Sequence, residues 1–142
     1  MNNIARRCVS LTPLFAVIAV AALSVGCSIG PGESGSFDKT MTVTGPVQLE
    51  LNNGSGHVEI RSGQSGQVRI HADFTVWLSF FDDKSNRGDE IRNHPPVDQQ
   101  GKLIRVESGG ELFNHVRADY TIYVPAETEV RAEVGSGDIE VN

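Results

Sequence analysis

From Phe37 onward, apolar and polar residues alternate with a period of two. Val47, Leu49 and Leu51 alternate with Gln48, Glu50 and Asn52, and Val58 and Ile60 with His57, Glu59 and Arg61. Val68, Ile70, Ala72, Phe74, Val76 and Leu78 alternate with Arg69, His71, Asp73, Thr75, Trp77 and Ser79. Ala118, Tyr120, Ile122 and Val124 share one parity, as do Val130, Ala132 and Val134. Successive side chains of a strand point to opposite faces, so these runs predict strands with one face buried and one wet. Their β-branched content agrees, and Gly45-Pro46, Asn52-Asn53-Gly54, Ser62-Gly63 and Pro125 punctuate them. Residues 82–94 (DDKSNRGDEIRNH) are polar, lack the alternation and end at Pro95-Pro96, which cannot continue a helix. They predict one short helix, weakened by Gly88; a polar loop is the alternative.

A short motif recurs. Ser55-Gly56-His57-Val58-Glu59-Ile60, Ser65-Gly66-Gln67-Val68-Arg69-Ile70 and Ser136-Gly137-Asp138-Ile139-Glu140-Val141 align as S-G-x-[VI]-[ER]-[IV]. Each joins a glycine turn to the start of a strand, and the third position varies among His, Gln and Asp. That freedom excludes a shared chemistry and predicts a structural turn that opens a rung. The expected fold is all-β, with β-solenoid-like stacked strands and one short helix near 82–94; a β-sandwich is the alternative.

The N-terminus reads differently. Arg6 and Arg7 precede an uncharged apolar run from Leu11 to Val25, too short for the ~20 residues of a spanning helix and suited to a signal peptide. Leu23-Ser24-Val25-Gly26-Cys27 follows, which resembles the lipobox of bacterial lipoproteins, with Ser24 where Leu is usual. An ordinary signal peptide or N-terminal anchor is the alternative. The resemblance implies a signal peptide over 1–26, lipidation of Cys27, a flexible Gly/Ser/Pro tether over 27–36 and a β domain over 37–142. The other cysteine, Cys8, would leave with the signal, so no thiol remains for a disulfide, a metal or catalysis. Loss of Arg6 and Arg7 makes a formal charge of −6 two units more negative. Such an acidic chain is not suited to nucleic acid, and its partner in the membrane is the bilayer itself, reached through acyl chains at about 0.8 kcal/mol per buried methylene. The expected location is the cell envelope. In a Gram-negative host, Ser28 resembles an outer-membrane sorting residue, placing the domain in the periplasm or at the cell surface.

Candidate chemistry is sparse. His57, His71, His94 and His115 stand in no metal-ligand spacing, and His57 and His71 fall on polar strand faces. No G-x-S-x-G elbow is present; Gly63-Gln64-Ser65-Gly66 lacks its spacing. Residues 82–93 lack an oxygen ligand at Lys84 and the closing Glu of an EF-hand. Gly30-Pro31-Gly32-Glu33-Ser34-Gly35 matches G-x-G-x-x-G without the strand and helix that a dinucleotide site needs. Arg87-Gly88-Asp89 is an RGD string of a length that chance supplies. No cofactor and no enzymatic activity are expected. Two surfaces remain. Trp77 and Phe81 lie on the polar parity, either as an interaction surface or packed beneath 82–94. Glu127, Glu129, Glu133, Asp138 and Glu140 form an acidic face, either simply solvated or loosely binding divalent cations.

The order of segments resembles a DUF4097-type domain, an adhesin-like β-strand-repeat family. The resemblance rests on Phe37-Asp38-Lys39-Thr40, Val43-Thr44-Gly45-Pro46-Val47-Gln48-Leu49-Glu50, GSGHVEI, Gly66-Gln67-Val68-Arg69-Ile70-His71 and Asn93-His94-Pro95-Pro96-Val97-Asp98-Gln99. Leu103-Ile104-Arg105-Val106, Tyr120-Thr121-Ile122-Tyr123-Val124-Pro125-Ala126 and GSGDIEV complete it. It implies an envelope-tethered, solenoid-like protein without known catalytic residues. It also implies further rungs after GSGD, so the strand at 138–141 is expected to end uncapped and the domain to be C-terminally incomplete. The expected function is a non-enzymatic, lipid-anchored protein that presents a β-repeat surface to an envelope protein or surface ligand, for adhesion or scaffolding. A sensory or regulatory module contacting a membrane protein is the alternative.

Overall fold

The structure, a computed structural model, describes residues 32–77 and 86–142. Among the described residues, nine strands form two mixed sheets: β1 (Glu33–Thr42), β2 (Val47–Ser55), β3 (Val58–Ser62), β4 (Gln67–Val76), β5 (Val97–Gln100), β6 (Leu103–Ser108), β7 (Val116–Val124), β8 (Thr128–Ser136) and β9 (Ile139–Val141). One sheet has the order β1-β4-β7-β3-β9 and the other β5-β6-β2-β8. The runs of alternation lie in these strands, except that Trp77 follows β4 and Leu78 and Ser79 lie outside the described residues. The inward parities face each other across the two sheets, and Val47, Leu49, Val58, Ile60, Val68, Ile70, Ile104, Val106, Tyr120 and Ile122 are all buried between them.

The two expected architectures are both present. The layout is a two-layer sandwich, but its centre is a stack of parallel rungs. β2 pairs in parallel with β6 on one side and β8 on the other, while β3 pairs in parallel with β7 and β9. Thus β6–β7, β2–β3 and β8–β9 are three successive rungs, each crossing from one sheet to the other. The remaining strands close one end of the stack. β4 pairs antiparallel with β7, β1 with β4, and β5 with β6. Among the described residues, β8 and β9 form the edges at the other end of the stack.

Glycines set the spacing at the corners. Gly56 and Gly137 have φ of 134° and 140°, a region that side chains other than hydrogen rarely occupy. A Cβ on Gly56 would lie 2.0 Å from the Ala118 carbonyl oxygen, and one on Gly137 would lie 1.8 Å from the Gly56 carbonyl oxygen. Each corner therefore sits directly on the backbone of the rung beneath. The middle copy of the motif behaves differently. Gly66 has φ of 78° and leads into β4, which runs antiparallel to its neighbours, so Ser65-Gly66 turns the chain out of the stack instead of opening a rung. The true third corner, between Ser108 and Val116, is a loop with a 3-10 turn at Glu111–Phe113 and carries no glycine motif.

Part of the stretch expected to be tether is strand, and residues 27–31 of it lie outside the described residues. Residues 33–36 belong to β1, opposite the far half of β4, with Gly35 across from Phe74. The Phe74 ring lies over Gly35, where a Cβ would come within 2.6 Å of it. The short helix α1 spans Arg87–Asn93, inside the expected 82–94, and buries Ile91 against β1 and β4. Gly88 does more than weaken it: the Glu33 carboxylate occupies the space of a side chain there and accepts from the Gly88 N–H at 3.2 Å. Arg87 and Gly88 are buried, so the Arg87-Gly88-Asp89 string is not displayed as a ligand for a receptor.

Candidate functional site

The open end of the stack is the least satisfied part of the fold. In β8, Val130, Ala132 and Val134 turn inward and are only partly covered, while Glu129, Arg131 and Glu133 turn out to solvent. In β9 the inward pair is Ile139 and Val141. Their counterparts one rung below, Val58 and Ile60, are 0% and 1% exposed, and Tyr120 and Ile122 another rung down are 1% and 0%. Ile139 and Val141 themselves are 42% and 64% exposed. Among the described residues, the columns of the core thus run from buried to exposed toward β9.

The outward face of the same sheet carries a row of alternating charge. Asp98 of β5 stands opposite Arg105 of β6, Arg105 opposite Glu50 of β2, and Glu50 opposite Arg131 of β8. Arg105 donates to Glu50 from Nε and Nη2 at 3.2 and 3.1 Å. The row ends on a cation at the open edge, flanked by Glu129 and Glu133. Glu129 accepts from Gln48 Nε2 at 3.2 Å. Arg131 was not singled out from the sequence; its signal was its equal parity with Glu50, visible only once the register is known.

Trp77 follows β4 and is 43% exposed, so it is not sealed beneath α1. Its backbone N–H donates to the His115 carbonyl at 2.8 Å. With Phe113, Asn114, His115 and Arg117 it lines a shallow cleft of about 300 Å3. Phe81 and Cys27 lie outside the described residues, so the pair Trp77 and Phe81 is seen only by half.

Two of the four histidines, His71 and His57, lie against acidic residues. Nδ1 of His71 lies 3.2 Å from Asp38 and Nε2 lies 3.3 Å from Asp73. His57 is half-buried, and its backbone N–H donates to Asp119 Oδ1 at 2.7 Å. Among the described residues no group of three or more His, Cys, Asp or Glu is placed to hold a metal ion, and none of their helices is long and apolar enough to cross a membrane. The acidic residues Glu127, Glu129, Glu133, Asp138 and Glu140 are all exposed.

The polar groups inside the core are structural. Asn53, 1% exposed, donates from Nδ2 to the Ala118 carbonyl at 2.8 Å and ties the second rung to the first. The Tyr120 hydroxyl is hydrogen-bonded to Ser108 Oγ, and its ring meets Phe37 edge-on at 6.2 Å. Burial pushes the Tyr120 phenol up from 10.0 to about 12, against a smaller lowering by the Ser108 bond. The consequence for stability has a definite sign. Above pH 10 the tyrosine of the unfolded chain ionises while Tyr120 in the fold keeps its proton. The unfolded state then binds fewer protons, and stability falls until the folded group ionises near pH 12. Two pH units correspond to about 2–3 kcal/mol. Urea unfolding at pH 9 and pH 11.5 is expected to show this loss in the wild type and a smaller one in Tyr120→Phe. Equal pH dependence in both would contradict it.

No protein-family model, curated protein or solved structure matches this chain.

Proposed function

We propose that this chain is a non-enzymatic, lipid-anchored protein of the cell envelope, of the DUF4097-type adhesin-like kind, whose stacked-rung domain presents a surface for adhesion or scaffolding. The observation that carries this reading is the stack of parallel rungs, β6–β7, β2–β3 and β8–β9, which lays strand after strand into one continuous surface. The sequence before the domain supports anchoring: a basic pair, an apolar run and Cys27 in a lipobox-like setting. Acyl chains on Cys27 hold the domain at a membrane, where the acidic chain has no electrostatic affinity of its own.

The test has two parts. Cys27→Ala is expected to move the protein from the membrane fraction to the soluble fraction and to abolish labelling by a fatty-acid analogue. Unchanged retention would remove the anchor from this reading. Cross-linking in intact cells then identifies what meets the stacked-rung domain. Surface or structural polymers support scaffolding, whereas one stoichiometric membrane protein favours the sensory or regulatory alternative.

A further inference from the structure

Among the described strand residues, Phe37, Phe74 and Tyr120 are buried between the sheets, and Tyr123 is the one aromatic ring that faces outward. It sits on β7, the central strand of its sheet, with Arg69 of β4 opposite on one side and Arg61 of β3 opposite on the other. The ring is half-buried and both arginines are exposed. Each arginine has a carboxylate partner: Arg61 Nη2 lies 2.6 Å from Glu59 Oε1, and Arg69 Nη2 lies 3.4 Å from Asp38 Oδ1. Gly63 lets the chain leaving β3 lie against the base of the ring, since a Cβ there would come within 2.9 Å of Tyr123 Cβ. Two shallow clefts share Tyr123 and Arg69. One, of about 290 Å3, runs toward Gln64 and Gln67, and the other, of about 380 Å3, toward Glu59 and Thr121.

The charges around the ring cancel. Arg61 and Arg69 are matched by Glu59 and Asp38, so an anion meets two carboxylates and a cation meets two guanidinium groups. A neutral hydroxyl suits the patch, because it accepts from a guanidinium and donates to the carboxylate beside it. Gln64 and Gln67 continue the mixture of donors and acceptors along the first cleft. A sugar ring also has an apolar C–H face, and the body of the Tyr123 ring is the apolar surface that receives it. We propose, on the reading of the domain as an adhesion surface, that the outward face of β4, β7 and β3 binds a neutral glycan, stacked on Tyr123 and hydrogen-bonded by Arg61, Arg69 and their carboxylate partners. The patch lies on interior strands, away from both edges of the sheet. The Glu33–Val76 pair, beside which residues 1–31 and 78–85 enter, stands seven residues along the strands from the Thr40–Arg69 pair, or roughly 23 Å. Residues 78–85 start from Trp77 and return to Arg87, which is held at that same end by the Asn114 carbonyl. A chain of that length, going out and back, reaches about 15 Å, short of Tyr123.

The full chain, purified in a detergent without a sugar headgroup, is titrated by calorimetry with four probes: cellohexaose, chitohexaose, hexagalacturonate and inorganic phosphate. One of the two neutral hexasaccharides is expected to bind, with an affinity that changes little between low and high salt, as contacts without net charge require. Tyr123→Ala is expected to weaken that binding about tenfold, the factor a stacked ring supplies, whereas Tyr123→Phe keeps the ring and most of the affinity. Arg69→Ala, at an exposed side chain, is expected to weaken binding several-fold without loss of fold, and it carries the test if Tyr123→Ala does not fold. Arg105→Ala is the control: it removes a comparable pair with Glu50 on the other sheet, where no outward strand residue is aromatic, and is expected to leave binding unchanged. Absence of binding by both neutral hexasaccharides overturns the proposal, whether the ring is merely solvated or is covered by residues outside the described ones. Full affinity in Arg69→Ala and in a folded Tyr123→Ala also overturns it. Tighter binding of hexagalacturonate or phosphate, lost at high salt, overturns it in favour of an anion site. Fractionation of Cys27→Ala is read without any glycan, so failure of glycan binding leaves the anchoring result standing, and failure of anchoring leaves glycan binding intact.

Discussion

Gly56→Ala is expected to abolish folding of the domain or to destabilise it by more than about 4 kcal/mol. Two costs add at this position. The backbone sits at φ of 134°, where a side chain is strained by about 1–3 kcal/mol. The new methyl would also stand 2.0 Å from the Ala118 carbonyl oxygen and 2.7 Å from its carbon, so the second rung must lift off the first. Lifting it would stretch the Tyr120 N–H to His57 carbonyl bond of 2.8 Å and the Asn53 to Ala118 bond, both at the centre of the stack. Gly101→Ala is the control. Gly101 also has positive φ, 62°, but nothing lies within 4 Å of a Cβ there, so only the left-handed backbone cost of about 1 kcal/mol remains. Gly137→Ala separates corner from core. Its methyl would lie 1.8 Å from the Gly56 carbonyl oxygen, yet it lifts only the outermost rung. It is expected to leave cooperative unfolding intact while exposing the Val58 amide, which donates to Asp138 at 2.9 Å, to solvent exchange. Urea melts and amide hydrogen exchange read the three variants. Similar melts for Gly56→Ala and Gly101→Ala would refute the role of the corner.

The contrast among these glycines marks what was legible in the sequence. Alternation identified β2, β3, β4, β7 and β8, because a strand with one wet face writes its period directly into the chain. The first and last copies of the glycine motif were recognisable as equivalent corners for the same reason. Register was not legible, and it decides which copies stack. Ser65-Gly66 has the motif but feeds an antiparallel strand. The corner between Ser108 and Val116 has no motif but completes a rung. The Glu33-Ser34-Gly35-Ser36 start of β1 has the composition of a linker, and it is strand only because Phe74 and Val76 lie across from it. Such pairings join residues far apart in the chain and leave no local trace. The candidate site divides in the same way. The inward parity of Ile139 and Val141 could be read from the repeat. The charge row ending at Arg131 needs the lateral order of four strands before it exists at all.

Because the columns pass from core to surface, one substitution chemistry can measure the stack rung by rung. Ile122, Ile60 and Val141 occupy a single column, with Ile60 opposite both of the others. Ile122 is 0% exposed and lies between Ile60 and Ile70 in the middle of its sheet. Ile122→Ala removes methyl and methylene groups from a site enclosed on every side, and neighbouring strands held by ladder bonds cannot close over the gap. A loss of about 2–5 kcal/mol is expected, from lost transfer energy and the cavity left behind. Val141, 64% exposed at the end of the same column, already gives most of its surface to water, so Val141→Ala is expected to change stability by less than about 0.5 kcal/mol. Denaturant melts of the two variants make the comparison. A large stability loss in Val141→Ala would mean that the column is already closed at β9.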